Sequence, residues 1–271
     1  MTTQPRNLVP KWSARVAALA CVFSFSLPVS AAAVLGTAQA FVVLGASTVT
    51  NTGATTLTGN LGVYPGNSIT GLGTITQTGS VHLGNAVAQR AQADALSAYN
   101  TLASRVPTTL LTGQDLGGLT LFAGIYFFET SAQLTGTLNL DAQGDPNAVF
   151  VFQIGSTLTT ASAAVVNVLN GDAEDVYWQV GSSATLGTST VFAGSIIANQ
   201  SVTMNTTSKI LCGRAIALNA AVTLDTNTLS NECTVAGGGG GSVPEPTTLA
   251  LVGLALGVLP LTRRRSARAE C

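Results

Sequence analysis

The sequence predicts a mainly β protein, a parallel β-solenoid with one α-helix packed alongside it. Three observations carry this. A four-residue pattern recurs at Thr157-Leu158-Thr159-Thr160, Thr185-Leu186-Gly187-Thr188, Thr203-Met204-Asn205-Thr206 and Thr223-Leu224-Asp225-Thr226, with starts 28, 18 and 20 residues apart. That is the period of stacked coils, some carrying insertions. Short β-branched runs punctuated by Gly, Asn and Asp fill most of the remaining chain. A single Ala-rich stretch interrupts them. Many short strands also suit a sandwich, but the recurring register and the scarcity of hairpin turn pairs favour coils.

Successive strand side chains point to opposite faces. In each copy the first and third residues (157/159, 185/187, 203/205, 223/225) therefore share one face. Leu158, Leu186, Met204 and Leu224 share the other. Stacking gives an apolar interior column and an outward ladder of threonines.

Taken in order, residues 1–31 read as a secretory signal peptide. Arg6, Lys11 and Arg15 form its positive end, Val16–Phe25 its apolar run and Val29-Ser30-Ala31 a small-residue cleavage site. Ala38-Gln39-Ala40 is a second candidate cleavage site. Cys21 hints at lipidation, yet Val22, Phe23 and Phe25 continue the apolar run past it. The mature chain, residues 32–235, is then exported to a place where disulfides form.

From Leu35 to Val81 the chain reads as short strands, including Phe41-Val42-Val43-Leu44 and Ser47-Thr48-Val49-Thr50. A helix is predicted at about 85–104: Ala, Gln, Arg and Leu dominate, Asn85 caps the start and Pro107 ends it. Ala88, Ala91, Ala95, Ala98/Tyr99 and Leu102 fall on one stripe, small enough to lie close on a sheet. Strands then resume at Leu119–Phe128, Leu134–Leu140, Val149–Ile154, Val165–Leu169, Val176–Val180, Val191–Ala198 and Ile210–Leu218. Cys212 and Cys233 lie 21 residues apart, close to one coil step. They are expected one above the other, joined by a disulfide that contributes roughly 3 kcal/mol; the alternative is a pair of buried free thiols. Residues 236–242 form a Gly-rich linker. The tail, 243–271, joins Val243-Pro244-Glu245-Pro246 to an apolar run, Leu249–Leu261, and to Arg263-Arg264-Arg265. That run is short for a membrane span, which takes about 20 residues, and has the logic of a cleaved C-terminal anchor.

Composition narrows the function. Only 8% of residues are charged while 46% are hydrophobic, against about a quarter charged in ordinary domains. Of 11 Lys and Arg, three lie before Cys21 and four after Leu261, leaving Arg90, Arg105, Lys209 and Arg214 against ten acids. No basic patch remains for nucleic acid. His82, the single histidine, has no Cys or His near it for a metal or a catalytic triad and reads as a solvated turn residue. Asp141/Asp145 and Asp172/Glu174/Asp175 sit in turn-like contexts as loop caps or, at most, weak calcium sites rather than paired catalytic carboxylates. No catalytic residue, metal site or cofactor is identified.

Two stretches resemble known families. The Pro244-Glu245-Pro246 motif, apolar run and basic end resemble the PEP-CTERM sorting signal. That resemblance implies a Gram-negative bacterium, a transient inner-membrane anchor, processing by an exosortase-type enzyme, and delivery to the cell surface or the extracellular polysaccharide matrix. The body from Leu35 to about Cys233 resembles the ice-binding-like DUF3494 domain. The matching runs include Phe41 through Gly53, Gly59 through Gly66, Val149 through Ile154, Val176 through Gly187, Gly213-Arg214-Ala215 and Ala221 through Thr228. This second resemblance implies a right-handed irregular β-solenoid of triangular cross-section, a helix along one face, and an N-terminal coil stacked beside the C-terminal one. It also implies adsorption to an ice crystal surface through a flat Thr, Ser, Ala and Asn face.

Thr157, Thr159, Thr185, Thr203, Asn205 and Thr223 are the candidate ice-binding residues. Thr52 and Thr55, in the family-like step Thr52-Gly53-Ala54-Thr55, join them on the neighbouring first coil. Rotamer-restricted hydroxyls about 6.7 Å apart along a strand and about 4.8 Å apart between coils make a repeat close to that of ice. Asp225 and Lys209 are the charges expected near this ladder. The competing reading is a structural or adhesion protein of the polysaccharide matrix. Sugar binding would call on exposed aromatics, for which Trp178 and Tyr177 are the candidates.

Overall fold

The structure is a computed structural model that describes residues 32–233. The predicted signal peptide, linker and sorting segment lie outside these residues. Every strand pairing among the described residues is parallel. Parallel neighbours need a long connection, and here the connection is the rest of a coil. In one coil Phe150–Ile154, Leu158–Thr160 and Val165–Leu169 follow one another. Each pairs with its counterpart in the next: Val176–Val180, Ala184–Leu186 and the start of Val191–Ala198. The strands thus fall on three faces, here called the helix face, the threonine face and the third face.

Strand ends follow the sequence closely, with two informative differences. The predicted run Leu119–Phe128 is two strands, Thr120–Phe122 and Gly124–Phe128, on different faces. The run Leu134–Leu140 likewise spans a corner at Thr135-Gly136, between Ala132–Leu134 and Thr137–Asp141. Gly136 sits there at φ 87°, a conformation that glycine adopts at little steric cost. Conversely, Val191–Ala198 and Lys209–Ala217 each run unbroken from the third face onto the helix face. They bend at Gly194 and Gly213, which stack in register. A Cβ on Gly213 would lie 2.0 Å from the Gly194 carbonyl oxygen, so that corner admits no side chain.

The interior is continuous. Tyr126, Phe152 and Trp178 occupy one register position on successive coils. Phe152 and Trp178 stack with centroids 3.9 Å apart, a contact worth about 1 kcal/mol beyond its buried area. The Trp178 Nε1–H donates to the Ala193 carbonyl at 3.0 Å. Both Trp178 and Tyr177 are fully buried, so neither offers a stacking platform for a sugar. His82 also departs from expectation. It lies in the strand Val81–Leu83 rather than in a turn, with its ring 5.4 Å from that of Phe41.

The helix spans Ala86–Ala103, and the Asn85 side chain accepts from the Val87 and Ala88 amides as its cap. Ala88, Ala91, Ala95, Ala98 and Leu102 are buried, as the stripe requires. The last four pack with Val151, Tyr177, Ile197, Ile216 and Leu44 from successive strands of the helix face. Two buried glutamines tie the helix down: Gln92 donates to the Ala217 carbonyl, and Gln153 donates to the carbonyls of Leu102 and Arg105.

The coil order in space is not the order in sequence. Phe41–Gly45 pairs with Lys209–Ala217, Thr48–Thr52 with Val222–Asp225, and Thr55–Thr58 with Thr228–Ser230. The first coil therefore stacks on the last, as the family resemblance implies. Arg214 clasps this seam, donating from Nε to the Gln39 carbonyl and from a terminal nitrogen to Ser195 Oγ. Burial depresses its pKa and the nearby Glu174 opposes that. Cys212 and Cys233 are joined in a disulfide beside the same seam, with their Cα atoms 4.8 Å apart.

Candidate functional site

The threonine face is a seven-stranded sheet in the order Ala132–Leu134, Leu158–Thr160, Ala184–Leu186, Val202–Met204, Val222–Asp225, Thr48–Thr52, Ser68–Thr70. Its inward side chains, among them Leu134, Leu158, Leu186, Val202, Met204, Val222, Leu224 and Val49, are buried. The outward positions carry function. One column reads Gln133, Thr159, Thr185, Thr203, Thr223, Thr50, Thr70 in direct register. All seven are exposed or partly exposed. Two residues earlier on each strand, the same register sets Ser131, Thr157, Ser183, Ser201, Ala221, Thr48 and Ser68 in a second column.

The two columns differ in how their hydroxyls are used. In the flanking column Thr157 donates to Ser131 Oγ at 2.8 Å, Ser201 to Ser183 Oγ at 2.9 Å, and Thr48 to the Ser68 carbonyl at 2.9 Å. In the central column none of the six threonine hydroxyls has a hydrogen-bond partner among the described residues. Those hydroxyls face solvent with donor and acceptor capacity unspent. Neither column contains a titratable side chain.

Most predicted site residues lie here, with a change of alignment. Thr159, Thr185, Thr203 and Thr223 form the central column. Thr157, aligned in sequence with Thr185, instead sits opposite Ser183 in the flanking column, because Leu158 pairs with Ala184 rather than with Leu186. The slip is of two residues, so with a side-chain period of two the face is preserved. Thr52 and Asn205 lie two residues beyond the central column, on the far rim, and both are exposed. Asp225 pairs with Thr52 there, and its carboxylate accepts from the Thr206 and Thr226 hydroxyls. Thr55 does not join them. It is 1% exposed, lies in a strand of the other sheet, and its hydroxyl accepts from the Asn227 amide. Lys209 is also absent, being exposed on the third face beside Val191 and Thr228.

Sequence reasoning missed Thr50 and Thr70, and with them the flanking Thr48, Ser68, Ser131, Ser183 and Ser201. The signal was a triad, hydroxyl, apolar, Thr, present at Thr157-Leu158-Thr159, Ser183-Ala184-Thr185, Ser201-Val202-Thr203, Thr48-Val49-Thr50 and Ser68-Ile69-Thr70. The four-residue template began at the second hydroxyl in two of its copies, Thr185 and Thr203, and so passed over the first.

No candidate site for a metal emerges from the acidic turns. Asp141, Asp145 and Asp172 each accept the amide two residues on, from Gln143, Asn147 and Glu174. That local bond is what a turn asks of aspartate. Asp172 approaches Cys212 and Cys233, whose sulfurs are committed to the disulfide.

Known proteins match the same residues. The ice-binding-like family matches residues 43–230. An ice-binding protein of Nostoc sp. (strain HG1) is 52% identical over 244 residues, covering 89% of this chain and 91% of that protein. An ice-binding protein of Colwellia sp is 31% identical over 72% of this chain and 82% of its own length. Among solved structures, an ice binding protein from an Antarctic biological consortium has a TM-score of 0.71 at 41% identity, covering 79% of this chain and 96% of that chain. One from the Antarctic ascomycete Antarctomyces psychrotrophicus has a TM-score of 0.71 at 37% identity, over 74% and 98%. The match takes in the first coil, the seam, the helix and every strand of the threonine face, and the chain belongs to the ice-binding-like family.

Proposed function

We propose that this protein binds ice through the threonine face, with the central column as the contacting row. The observation that carries the reading is the row of unspent hydroxyls on Thr159, Thr185, Thr203, Thr223, Thr50 and Thr70. Parallel strands set them about 4.8 Å apart, and the flanking column lies about 6.7 Å away. β-branching limits each threonine to few rotamers, so little side-chain entropy is lost on adsorption. The methyl groups order the water between hydroxyls, which in turn anchor it. The flanking hydroxyls of Thr157, Ser201 and Thr48, each bonded to the adjacent strand, hold the row flat. Thr157, Thr52 and Asn205 border the contact rather than form its centre.

The test is ice recrystallisation inhibition with ice-affinity partitioning on residues 32–235, the span that contains both core clusters. We expect inhibition at low micromolar protein and its loss in Thr203→Tyr/Thr223→Tyr. A folded, disulfide-intact sample that inhibits nothing would overturn the reading.

The finer architecture is read as right-handed coils of triangular cross-section, supported by three strands per coil and by the family match. The chain is further read as non-catalytic, exported by residues 1–31 and sorted to the cell surface by an exosortase-type enzyme acting at residues 243–271. Support for cleavage before residue 32 rather than after Ala40 comes from the fold's use of the intervening residues. Leu35 and Ala38 are fully buried, and the Gln39 carbonyl accepts from both Arg214 and Asn231. N-terminal sequencing of the exported chain tests this: a start beyond Ala40 would sink it.

A further inference from the structure

We propose that a second, smaller hydroxyl array on the third face also adsorbs to ice, on a crystal plane different from the one the threonine face contacts. The proposal rests on the ice-binding reading of the first face. Its residues are Thr228 and Ser230, Thr56 and Thr58, Thr76 and Thr78. Thr228 pairs with Thr56 and Thr56 with Thr76, while Ser230 pairs with Thr58. Thr78 follows Thr76 by the same two residues. The intervening Leu229 and Leu57 are fully buried, so the pleat turns the hydroxyl residues outward, and all six are exposed or partly exposed. Thr55, the residue the sequence singled out, points inward for the same reason that Thr56 and Thr58 point out.

The hydroxyls of Thr56, Thr58, Thr76 and Thr228 have no hydrogen-bond partner among the described residues. Ser230 Oγ exchanges bonds with the backbone of Glu232, and Thr78 Oγ accepts the Gly59 amide. The pattern thus repeats that of the first face, in which unspent threonine hydroxyls sit in register beside inward apolar residues. It is also local. Farther along the third face the first position is held by Lys209, Val191, Val165 and Thr137, and the second by Asn167, Asn139 and Thr120 on the far coils, with no hydroxyl at Leu211 or Ala193 between them. Single threonines at Thr137 and Thr120 are what β-propensity alone supplies, but hydroxyl residues fill both positions only on the three neighbouring coils.

Those coils also carry Thr223, Thr50 and Thr70 of the first array. The two surfaces meet at a corner where the Thr226 amide donates to the Thr52 carbonyl at 2.9 Å. Gly53 at φ 71° and Thr226 at φ 53° turn the chain there, so the arrays are continuous but not coplanar. Three strands by two positions span only about 10 Å by 7 Å, far less than the seven-stranded first face. Such a patch adds a second plane to a molecule already held by the first.

The test is adsorption of fluorescently labelled protein to a single-crystal ice hemisphere, which displays the bound planes as separate lit patches. Wild type is expected to light two plane sets. Thr56→Tyr/Thr228→Tyr should lose one and keep the other, with ice-affinity partitioning retained. Thr76→Lys, at the outer strand that pairs on one side only, provides a second variant with the same expected loss. If wild type and both folded variants light the same planes, the second array does not bind ice while the first-face reading stands. If wild type lights no plane, both readings fall together.

Discussion

The helix face and the threonine face are built from strands of the same coils in the same parallel stacking, yet one is covered and the other bare. Phe150–Ile154 and Val176–Val180 are buried at every position. Leu158–Thr160 and Ala184–Leu186 alternate, with Thr159 and Thr185 turned out. The covered strands read as continuous apolar runs because a second layer, the alanine stripe of the helix, lies on them. The bare strands read as hydroxyl, apolar, hydroxyl because water is their second layer. Backbone geometry sets the repeat on both faces, and the outward residue alone decides what each repeat receives.

The largest test of that contrast places one charge on each face. Ala95→Glu sets a carboxylate where Ala95 is fully buried against the helix-face strands. With no partner there, the expected loss of stability is about 3 kcal/mol or more, enough to unfold much of the population. Thr185→Glu on the bare face should cost no more than about 0.5 kcal/mol, while ice adsorption is lost. Urea unfolding of the two variants checks this. Equal destabilisation would mean the threonine face is not a free surface.

How much of this was legible depends on which force was acting. The helix was readable to within a residue or two because cap, composition and stripe agree from Asn85 to Leu102. The inward leucines were readable because burial writes a period of two. The disulfide was readable because one coil step nearly matches the spacing of Cys212 and Cys233. The register of Thr157 was not, since a slip of two residues leaves the same face buried and costs the local pattern nothing. Thr50 and Thr70 were hidden by topology: their coils enter the stack beside Val222–Asp225, nearly the whole chain away in sequence. Thr55 failed because a motif match ignores the corner at Gly53, which restarts the pleat.

A finer contrast lies within the bare face, between its bonded and its unspent column. Ser183→Ala removes the acceptor of the Ser201 hydroxyl. A partly exposed bond of this kind is worth about 0.5–1 kcal/mol, and stability should fall by that amount while ice adsorption holds. Thr185→Val keeps shape and methyl groups but removes a hydroxyl with no partner among the described residues. Its stability should stay within about 0.5 kcal/mol of wild type while adsorption weakens. Chemical unfolding and ice-affinity partitioning on the same samples separate the two effects. If Ser183→Ala harms adsorption more than Thr185→Val does, the roles of the columns are reversed.

The smallest effect separates the faces by pH. On the helix side, Asp94 accepts from the Thr37 hydroxyl and amide at 2.5 and 2.8 Å, joining the helix to the N-terminal segment. The Thr37 hydroxyl bond foremost, then the amide bond, hold this carboxyl below its ordinary value of 3.8, with a weaker pull from Arg90, against a small opposing effect of burial. A lowered folded pKa stabilises the fold above the unfolded value, and that contribution is lost as pH falls through the folded one. Asp94→Asn should therefore melt below wild type at pH 6, and the gap should close as the pH drops under about 4. The hydroxyl columns contain nothing that titrates, so between pH 6 and pH 4 ice adsorption per folded molecule should stay constant in both proteins. A gap in melting temperature that persists to pH 2 would show that the carboxylate charge at Asp94 contributes nothing, and that the Thr37 contact acts through shape alone.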